Sequence, residues 1–367
     1  MTDSRTTSYR LPEVVSVASS LLVPFEQHEI ADFAKSLLPD IDAAKIQAVF
    51  DNTGIEHRHL AGPLSFYGQT VRPSVRYDMA NDLARGYGTE AAEAALARAD
   101  VEADEVDTLI FVSTTVLRSP NLDVTLAAEL GLRRDVRRIP VFGLASLGGA
   151  TALGLAADLV NGGDGVVLIV AAEMNSLMFV PGDASMESLV TLALFSDGAA
   201  AAVVRENAGT SNSIEIIDHC STLVPDSLDA MGFDVTDQGL RWRLAPDVPD
   251  LARAWARESV EEALAEVRWK VEDLDHLLVH PGGTKVLDAV EEALDLAPGR
   301  LAWSREIMRD HGNVSSVTVL LVLERFLASK PAKGRGLLTA MGPGFAFEHV
   351  AFTVGDGLAE VMELPVP

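Results

Sequence analysis

Apolar residues recur at helical spacing from Tyr77 to Ala99, an acidic turn follows, and then comes a short apolar run, Thr108–Thr114. A period near 3.6 predicts an amphipathic helix, and a short apolar run bounded by turn residues predicts a buried strand. The same three-part pattern returns later, where residues 251–280 align with 83–112 at an offset of 168. Leu83-Ala-Arg-Gly-Tyr87 stands opposite Leu251-Ala-Arg-Ala-Trp255, and Val106-Asp-Thr-Leu-Ile110 opposite Leu274-Asp-His-Leu-Leu278. The offset continues into the next unit, so that the strand-turn-helix pattern around Ala145-Ser146 falls opposite one around Asn313-Val314. Two successive elements matching at one offset point to an internal duplication.

Further strands are expected at Arg138–Phe142, Gly165–Ala171, Ala199–Val204, Leu274–Val279, Gly336–Ala340 and Val350–Val354. Further helices are expected at Leu122–Leu130, Gly149–Asn161, Asp250–Val267, Gly283–Leu294 and Ser315–Ser329. This alternation predicts a layered α/β fold with mixed sheets in two pseudo-symmetric halves. The polar stretch Glu206–Ser213 interrupts the pattern and divides the chain into halves at 1–210 and 211–367.

Composition narrows the functions. The formal net charge of −25 disfavours nucleic acid and anionic lipid as partners. An anionic ligand would therefore need a local basic patch. The one cysteine, Cys220, excludes a disulfide framework and a Cys-rich metal site, and fits a reducing cytoplasm. The N-terminal residues lack an apolar leader, and no run approaches the length that spans a bilayer, so neither secretion nor membrane insertion is expected.

Three polar residues stand out. Ser146 lies in Pro140-Val-Phe-Gly-Leu-Ala-Ser-Leu-Gly-Gly-Ala150, between an expected strand and an expected helix. Unpaired N–H groups and the helix dipole at such a junction favour developing negative charge, as a nucleophile requires. His280 follows Leu277-Leu-Val279 at a strand end and opens His280-Pro-Gly-Gly283, a placement suited to acid–base work. Asn313 precedes an apolar helix, where a helix cap is the plain alternative. In the duplicated pattern, strand ends and elbows of the two halves can face each other across a pseudo-twofold axis. That arrangement would bring the three side chains together.

In this order the motifs resemble the type III polyketide synthases, the chalcone-synthase-like branch of the thiolase superfamily. The matching segments are Ser113-Thr-Thr-Val-Leu-Arg-Ser-Pro120, Phe142-Gly-Leu-Ala-Ser-Leu-Gly-Gly149, Ala193-Leu-Phe-Ser-Asp-Gly-Ala-Ala200, His280-Pro-Gly-Gly283, Gly312-Asn-Val-Ser-Ser316 and Gly342-Pro-Gly-Phe345. The resemblance runs from about residue 10 to the C-terminus. It implies a thiolase-like αβαβα arrangement and a catalytic triad at positions 146, 280 and 313.

The family reads Gly-Leu-Gly-Cys-Ala-Gly-Gly where this chain reads Gly-Leu-Ala-Ser-Leu-Gly-Gly, so the sulfur is missing. Three readings stay open. The serine was substituted for cysteine to trap a ligand, or it is the working nucleophile, or the reaction bypasses covalent loading. A serine hydroxyl needs His280 as a true general base, whereas a cysteine thiol forms a thiolate–imidazolium pair more readily.

The resemblance further implies an acyl-CoA starter and a malonyl-CoA-type extender, joined by decarboxylative Claisen condensation and then cyclised. No permanent cofactor and no metal are implied. Coenzyme A binding falls to Arg58 in Gly54-Ile-Glu-His-Arg-His-Leu60 and to Arg305, with His57 and His59 nearby. The cavity would be lined by Thr114, Thr115, Asn175, Met178, Phe195, Phe233, Trp242 and Ser315, together with Gly342, Pro343 and Gly344. Phe195 and Trp242 stand as gatekeepers, and Phe233 as bulk that narrows the cavity. Ser119 replaces a methionine that in the family reaches into a partner subunit, and a homodimer is implied.

Other classes compete less well. A serine-hydrolase elbow needs Gly-x-Ser-x-Gly, and Leu144-Ala-Ser-Leu-Gly148 lacks its first glycine. An acyltransferase or single-condensation enzyme using a native serine, and a non-catalytic acyl-CoA-binding homologue, remain as alternatives.

Overall fold

The computed structural model describes residues 11–355 apart from 181–182, 184 and 208–212. The expected division at residue 210 thus lies outside the described residues. The strands are β1 (Pro12–Leu21), β2 (Pro24–Glu26), β3 (His57–His59), β4 (Thr108–Val112), β5 (Arg137–Val141), β6 (Val166–Met174) and β7 (Asp197–Glu206). They continue with β8 (Ile214–Leu223), β9 (Met231–Thr236), β10 (Gly239–Leu244), β11 (His276–Val279), β12 (Gly334–Gly342) and β13 (Ala346–Val354).

Nine of these form one mixed sheet in the order β11-β12-β13-β8-β1-β7-β6-β4-β5. From its middle outward, each side repeats the same pairing. β1–β7 and β7–β6 are antiparallel and β6–β4 parallel, while β8–β13 and β13–β12 are antiparallel and β12–β11 parallel. β5 adds one further parallel edge strand. Among the described residues, the two sides of the sheet pair where Glu13 meets Glu215 and Val14 meets Ile214. β6 and β12 keep the offset of the sequence repeat at both of their ends.

Alternation along the strands builds the layers. Ile110 and Val112 of β4 and Leu278 of β11 enter a central core with the helices Gly148–Asn161 and Thr318–Ala328. Leu109 and Phe111 point the other way, onto the helix Pro73–Ala99. Leu277 and Val279 do the same toward the helix Val248–Glu266. Strands covered on both faces read as continuous apolar runs, and helices buried between the two sides of the sheet are apolar nearly all round.

Several elements escape the periodicity argument. β1 and β8 occupy the middle of the sheet, yet they carry buried Glu13, Ser16 and Glu215. Ser16 Oγ donates to Ala95 O at 2.7 Å, and Thr353 Oγ1 donates to Glu215 at 3.1 Å. Buried polar groups are tolerated when hydrogen-bonded, and here they break the alternating signature. The helices Gln27–Leu37, Ala43–Asp51, Met186–Leu194 and Ala302–His311 are also additional. So is the β9–β10 hairpin, which sets Phe233 directly across from Trp242. Among the described residues, no helix is long and apolar enough to cross a membrane.

Candidate active site

Two elbows of equivalent topology define the site. After β5 the chain turns into a short 3-10 segment, Ala145–Leu147, and then the helix Gly148–Asn161. Ala145 has φ 43°, a region costly for a residue with a Cβ. Its N–H donates to Thr114 Oγ1 at 3.0 Å, which helps to hold that turn. A Cβ at Gly149 would lie 2.3 Å from the backbone oxygen of Ser316, so only glycine lets the first elbow pass this close to the second. Ser146, at the tip, is 8% exposed.

The second elbow carries Asn313, followed by the 3-10 segment Ser315–Val317 and the helix Thr318–Ala328. Asn313 Oδ1 accepts from the backbone N–H of Ser315 at 2.8 Å. The Asn313 backbone is tied on both sides of Phe195, donating to Leu194 O at 2.9 Å and accepting from Ser196 N–H at 2.8 Å. With its oxygen pinned, the carboxamide turns its N–H₂ side to Gly282 O, a long 3.4 Å contact, and to the cavity.

His280 directly follows β11, its backbone N–H bonded to Thr339 O at 2.8 Å. The ring is buried, and neither nitrogen has a hydrogen-bond partner within the protein. Burial with no compensating anion pushes its pKa down to about 3, so the imidazole is neutral at physiological pH.

Ser146, His280, Asn313 and Ser315 all line one cavity of about 510 Å³, within the usual range of ligand pockets. Phe195, Trp242 and Pro343 also line it. Phe195 and Trp242 stack with centroids 5.2 Å apart. Ser315 Oγ is buried without a partner.

The remaining sequence-derived residues sit elsewhere. Phe233 is not on the cavity wall. It meets Trp242 edge-on at 5.9 Å and Phe142 at 6.2 Å, so it props the gate instead of narrowing the cavity. Thr114 and Thr115 lie behind the first elbow, and Met178 is part of the apolar core around the helix Pro73–Ala99. Asn175 faces a separate, smaller cavity. Gly342 and Gly344 leave the lining to Met341, Pro343 and Phe345. A Cβ at Gly342 would meet Leu147 Cγ at 2.7 Å, so this glycine brings β12 against the elbow.

The expected coenzyme A residues are corrected most strongly. Arg58 is 1% exposed, and its guanidinium donates to Gln27 Oε1, Leu192 O and Phe195 O. A side chain buried in this way cannot meet a phosphate in solvent. Arg305 is engaged by Asp288 and Glu291, each at 2.6 Å, and lies off the cavity. His57 faces Glu26 at 3.3 Å, and buried His59 stacks on His311. Of the two cations that line the cavity, Arg243 is half-buried near Asp229 and Asp234, and the exposed one is Lys285. It stands two residues beyond His280-Pro-Gly-Gly283, and the apolar pattern of the following helix hid it.

Glu173 was also invisible to the sequence. It is fully buried and accepts from Ser316 Oγ at 2.7 Å, from Thr115 Oγ1 at 2.9 Å and from the backbone N–H groups of Thr114 and Thr115. It thereby fastens the second elbow to the turn that holds the first. Burial raises its pKa and these hydrogen bonds oppose the rise.

Comparison with known proteins agrees with this architecture. Residues 64–208 match the family model described as chalcone and stilbene synthases, N-terminal domain, and residues 215–354 match the C-terminal domain. A putative chalcone synthase of Bacillus subtilis (strain 168) is 31% identical, over 94% of this chain and 99% of its own length. The 1,3,6,8-tetrahydroxynaphthalene synthase of Streptomyces peucetius subsp. caesius is 35% identical, over 88% of this chain and 86% of its own. The crystal structure of 1,3,6,8-tetrahydroxynaphthalene synthase from Streptomyces coelicolor A3(2), a bacterial type III polyketide synthase, matches with a TM-score of 0.90 at 28% identity. That match covers 94% of this chain and all of the other. Both parts of the duplicated fold are thus matched, and the chain belongs to the chalcone and stilbene synthases, the type III polyketide synthases.

Proposed function

We propose that this chain transfers an acyl group from coenzyme A to Ser146 and extends it with malonyl-CoA by decarboxylative Claisen condensation. The reading rests on one observation, that Ser146, His280 and Asn313 line a single cavity. Ser146 Oγ attacks the thioester carbonyl while its proton passes to His280, and coenzyme A leaves as the thiol with that proton. Malonyl-CoA then loses carbon dioxide, and N–H groups of His280 and Asn313 receive the enolate oxygen. The carbanion attacks the seryl ester, and Ser146 leaves as its alkoxide, which takes up through His280 the one proton per condensation that solvent supplies. Donors fixed where charge develops are the largest catalytic asset of such a site.

A neutral imidazole is the form a serine nucleophile needs, because only it can accept the hydroxyl proton. Exposed Lys285 and half-buried Arg243 are the cations that the cavity lining offers to coenzyme A phosphates on an acidic protein. We further infer a cytoplasmic homodimer. β5 is an edge strand with exposed Arg137, Arg138 and Pro140, and Phe142 beside it is 49% exposed. Light scattering of the purified chain tests the dimer.

The test of function is product analysis by mass spectrometry after incubation with a panel of acyl-CoAs and malonyl-CoA. The expected products are lengthened by two-carbon units, with release of carbon dioxide and coenzyme A, and are absent in His280→Ala. Failure to consume malonyl-CoA with any starter contradicts the proposal. Ser146→Cys run alongside separates the readings of position 146. A strong gain with cysteine marks the serine as a trap, and no gain or a loss supports a working serine.

A further inference from the structure

Behind the aromatic gate lies a second cavity, of about 40 Å³, lined among others by Arg58, Tyr67, Asn175 and Ser176. Phe195 and Trp242 line both this chamber and the catalytic cavity, so the stacked pair is the partition between them. Three lining residues carry buried polar atoms without a protein partner: Arg58 Nη2, Trp242 Nε1 and Asn175 Oδ1. Arg58 is 1% exposed and Asn175 3% exposed. Asn175 Nδ2 donates to Ser196 O at 2.7 Å, which fixes the amide with its oxygen on the unpartnered side.

Buried polar groups are nearly always satisfied, and three orphans around one chamber mark a place where a ligand group completes them. The chemistry is specific. The residues that line this space for a few heavy atoms supply two unpartnered donors and one unpartnered acceptor. The other guanidinium hydrogen bonds of Arg58 all go to neutral oxygens. Asp197, the carboxylate acting on it at longer range, has its own pKa raised by burial to about 7 and accepts from Ser176. Arg58 therefore lacks a full counter-charge, which is costly in a buried site.

We propose that this chamber is a subsite for the terminal carboxyl group of an acyl substrate, reached when the chain parts the Phe195–Trp242 stack. The carboxyl oxygens accept from Arg58 Nη2 and Trp242 Nε1, and its proton, or a water bridging the ionised group, meets Asn175 Oδ1. The substrate class is then a starter longer than malonyl, the mono-coenzyme A thioester of a dicarboxylic acid whose chain spans from Ser146 past the aromatic pair. This deepens the proposed function and rests on Ser146 receiving the acyl group in the neighbouring cavity.

The test is calorimetric binding of the whole chain to a length series of ω-carboxyacyl-CoAs, their methyl esters and the ω-hydroxyacyl counterparts. Turnover with malonyl-CoA is measured separately. At one length or more beyond malonyl, the acid should bind about tenfold or more tightly than its ester. Trp242→Phe keeps the ring and removes the N–H, and Asn175→Leu removes the acceptor. Either should cut the acid-to-ester ratio to about threefold or less, a ratio that cancels any loss of folded protein. Arg58→Met removes the charge but also three structural hydrogen bonds, so its ratio is read only beside a thermal melt.

No preference at any length overturns the subsite. So do equal binding of the hydroxyl series, an undiminished ratio in both Trp242→Phe and Asn175→Leu, and a failure to bind any acyl-CoA. Carboxyl-selective binding without malonyl-CoA consumption leaves the subsite standing and overturns the condensation reading instead.

Discussion

The two elbows occupy equivalent positions in a duplicated topology, yet they are held in different ways. In the first, the fastening acts on the backbone. Thr114 holds the N–H of Ala145, and the Ser146 side chain projects from a turn braced one residue earlier. In the second, the fastening acts on the functional group itself, because Asn313 Oδ1 is pinned by the N–H of Ser315. A nucleophile must travel toward a carbonyl and return as a leaving group. An oxyanion donor works best when it does not move. In the proposed mechanism, two strand-turn-helix units of matching topology thus divide the labour through their side chains.

The comparison breaks most visibly when each elbow is disabled alone. Ser146→Ala should abolish chain extension yet keep malonyl-CoA decarboxylation, since the enolate donors remain. Asn313→Ala should lower both, by about a hundredfold or more for carbon dioxide release. Parallel assays of carbon dioxide and extended product distinguish the two outcomes, and equal loss of both activities in Ser146→Ala would show that the elbows do not divide the work.

Forcing the elbows apart comes next. Gly149→Ala places a methyl group against the backbone of Ser316 and should destabilise the chain by about 2 kcal/mol in chemical denaturation. An unchanged denaturation midpoint would mean that the close approach contributes nothing. A gentler loosening is Thr114→Val, which leaves the N–H of Ala145 without its acceptor. Loss of about 1 kcal/mol, roughly fivefold in acyl transfer, should be recovered by Thr114→Ser.

The smallest effect is one that fails to occur. An ordinary histidine would protonate near pH 6.5, but His280 is held neutral down to about pH 3. Decarboxylation should therefore lack an inflection near pH 6.5. The stability sign follows from the same shift. Below about pH 6.5 the unfolded chain takes up a proton that folded His280 refuses, so stability falls as pH drops toward 3. His280→Gln should flatten that part of the stability profile, and an unaltered slope would assign it to other groups.

Much of this was legible in the residues. The repeat at 83–112 and 251–280 foretold the repeated strand pairing, and the elbow motifs foretold which side chains share a cavity. Illegible were features whose signal is three-dimensional. Glu173 lies in an apolar strand and gains meaning only from hydroxyls and amides that converge on it. Arg58 sits in a polar loop sequence that suggests solvent, yet tertiary packing buries it and turns it from the coenzyme A mouth to an inner chamber. β1 and β8 were hidden because satisfied polar groups in mid-sheet erase alternation. Phe233 was placed in the cavity by alignment, and the hairpin register moved it one layer back.

The most direct measurement is intact-mass and peptide analysis of the chain after exposure to an acyl-CoA without extender. The account predicts a single acyl adduct mapped to Ser146, labile to hydroxylamine and missing in Ser146→Ala and His280→Ala. An adduct on another residue, or extended products formed with Ser146 absent, would contradict it.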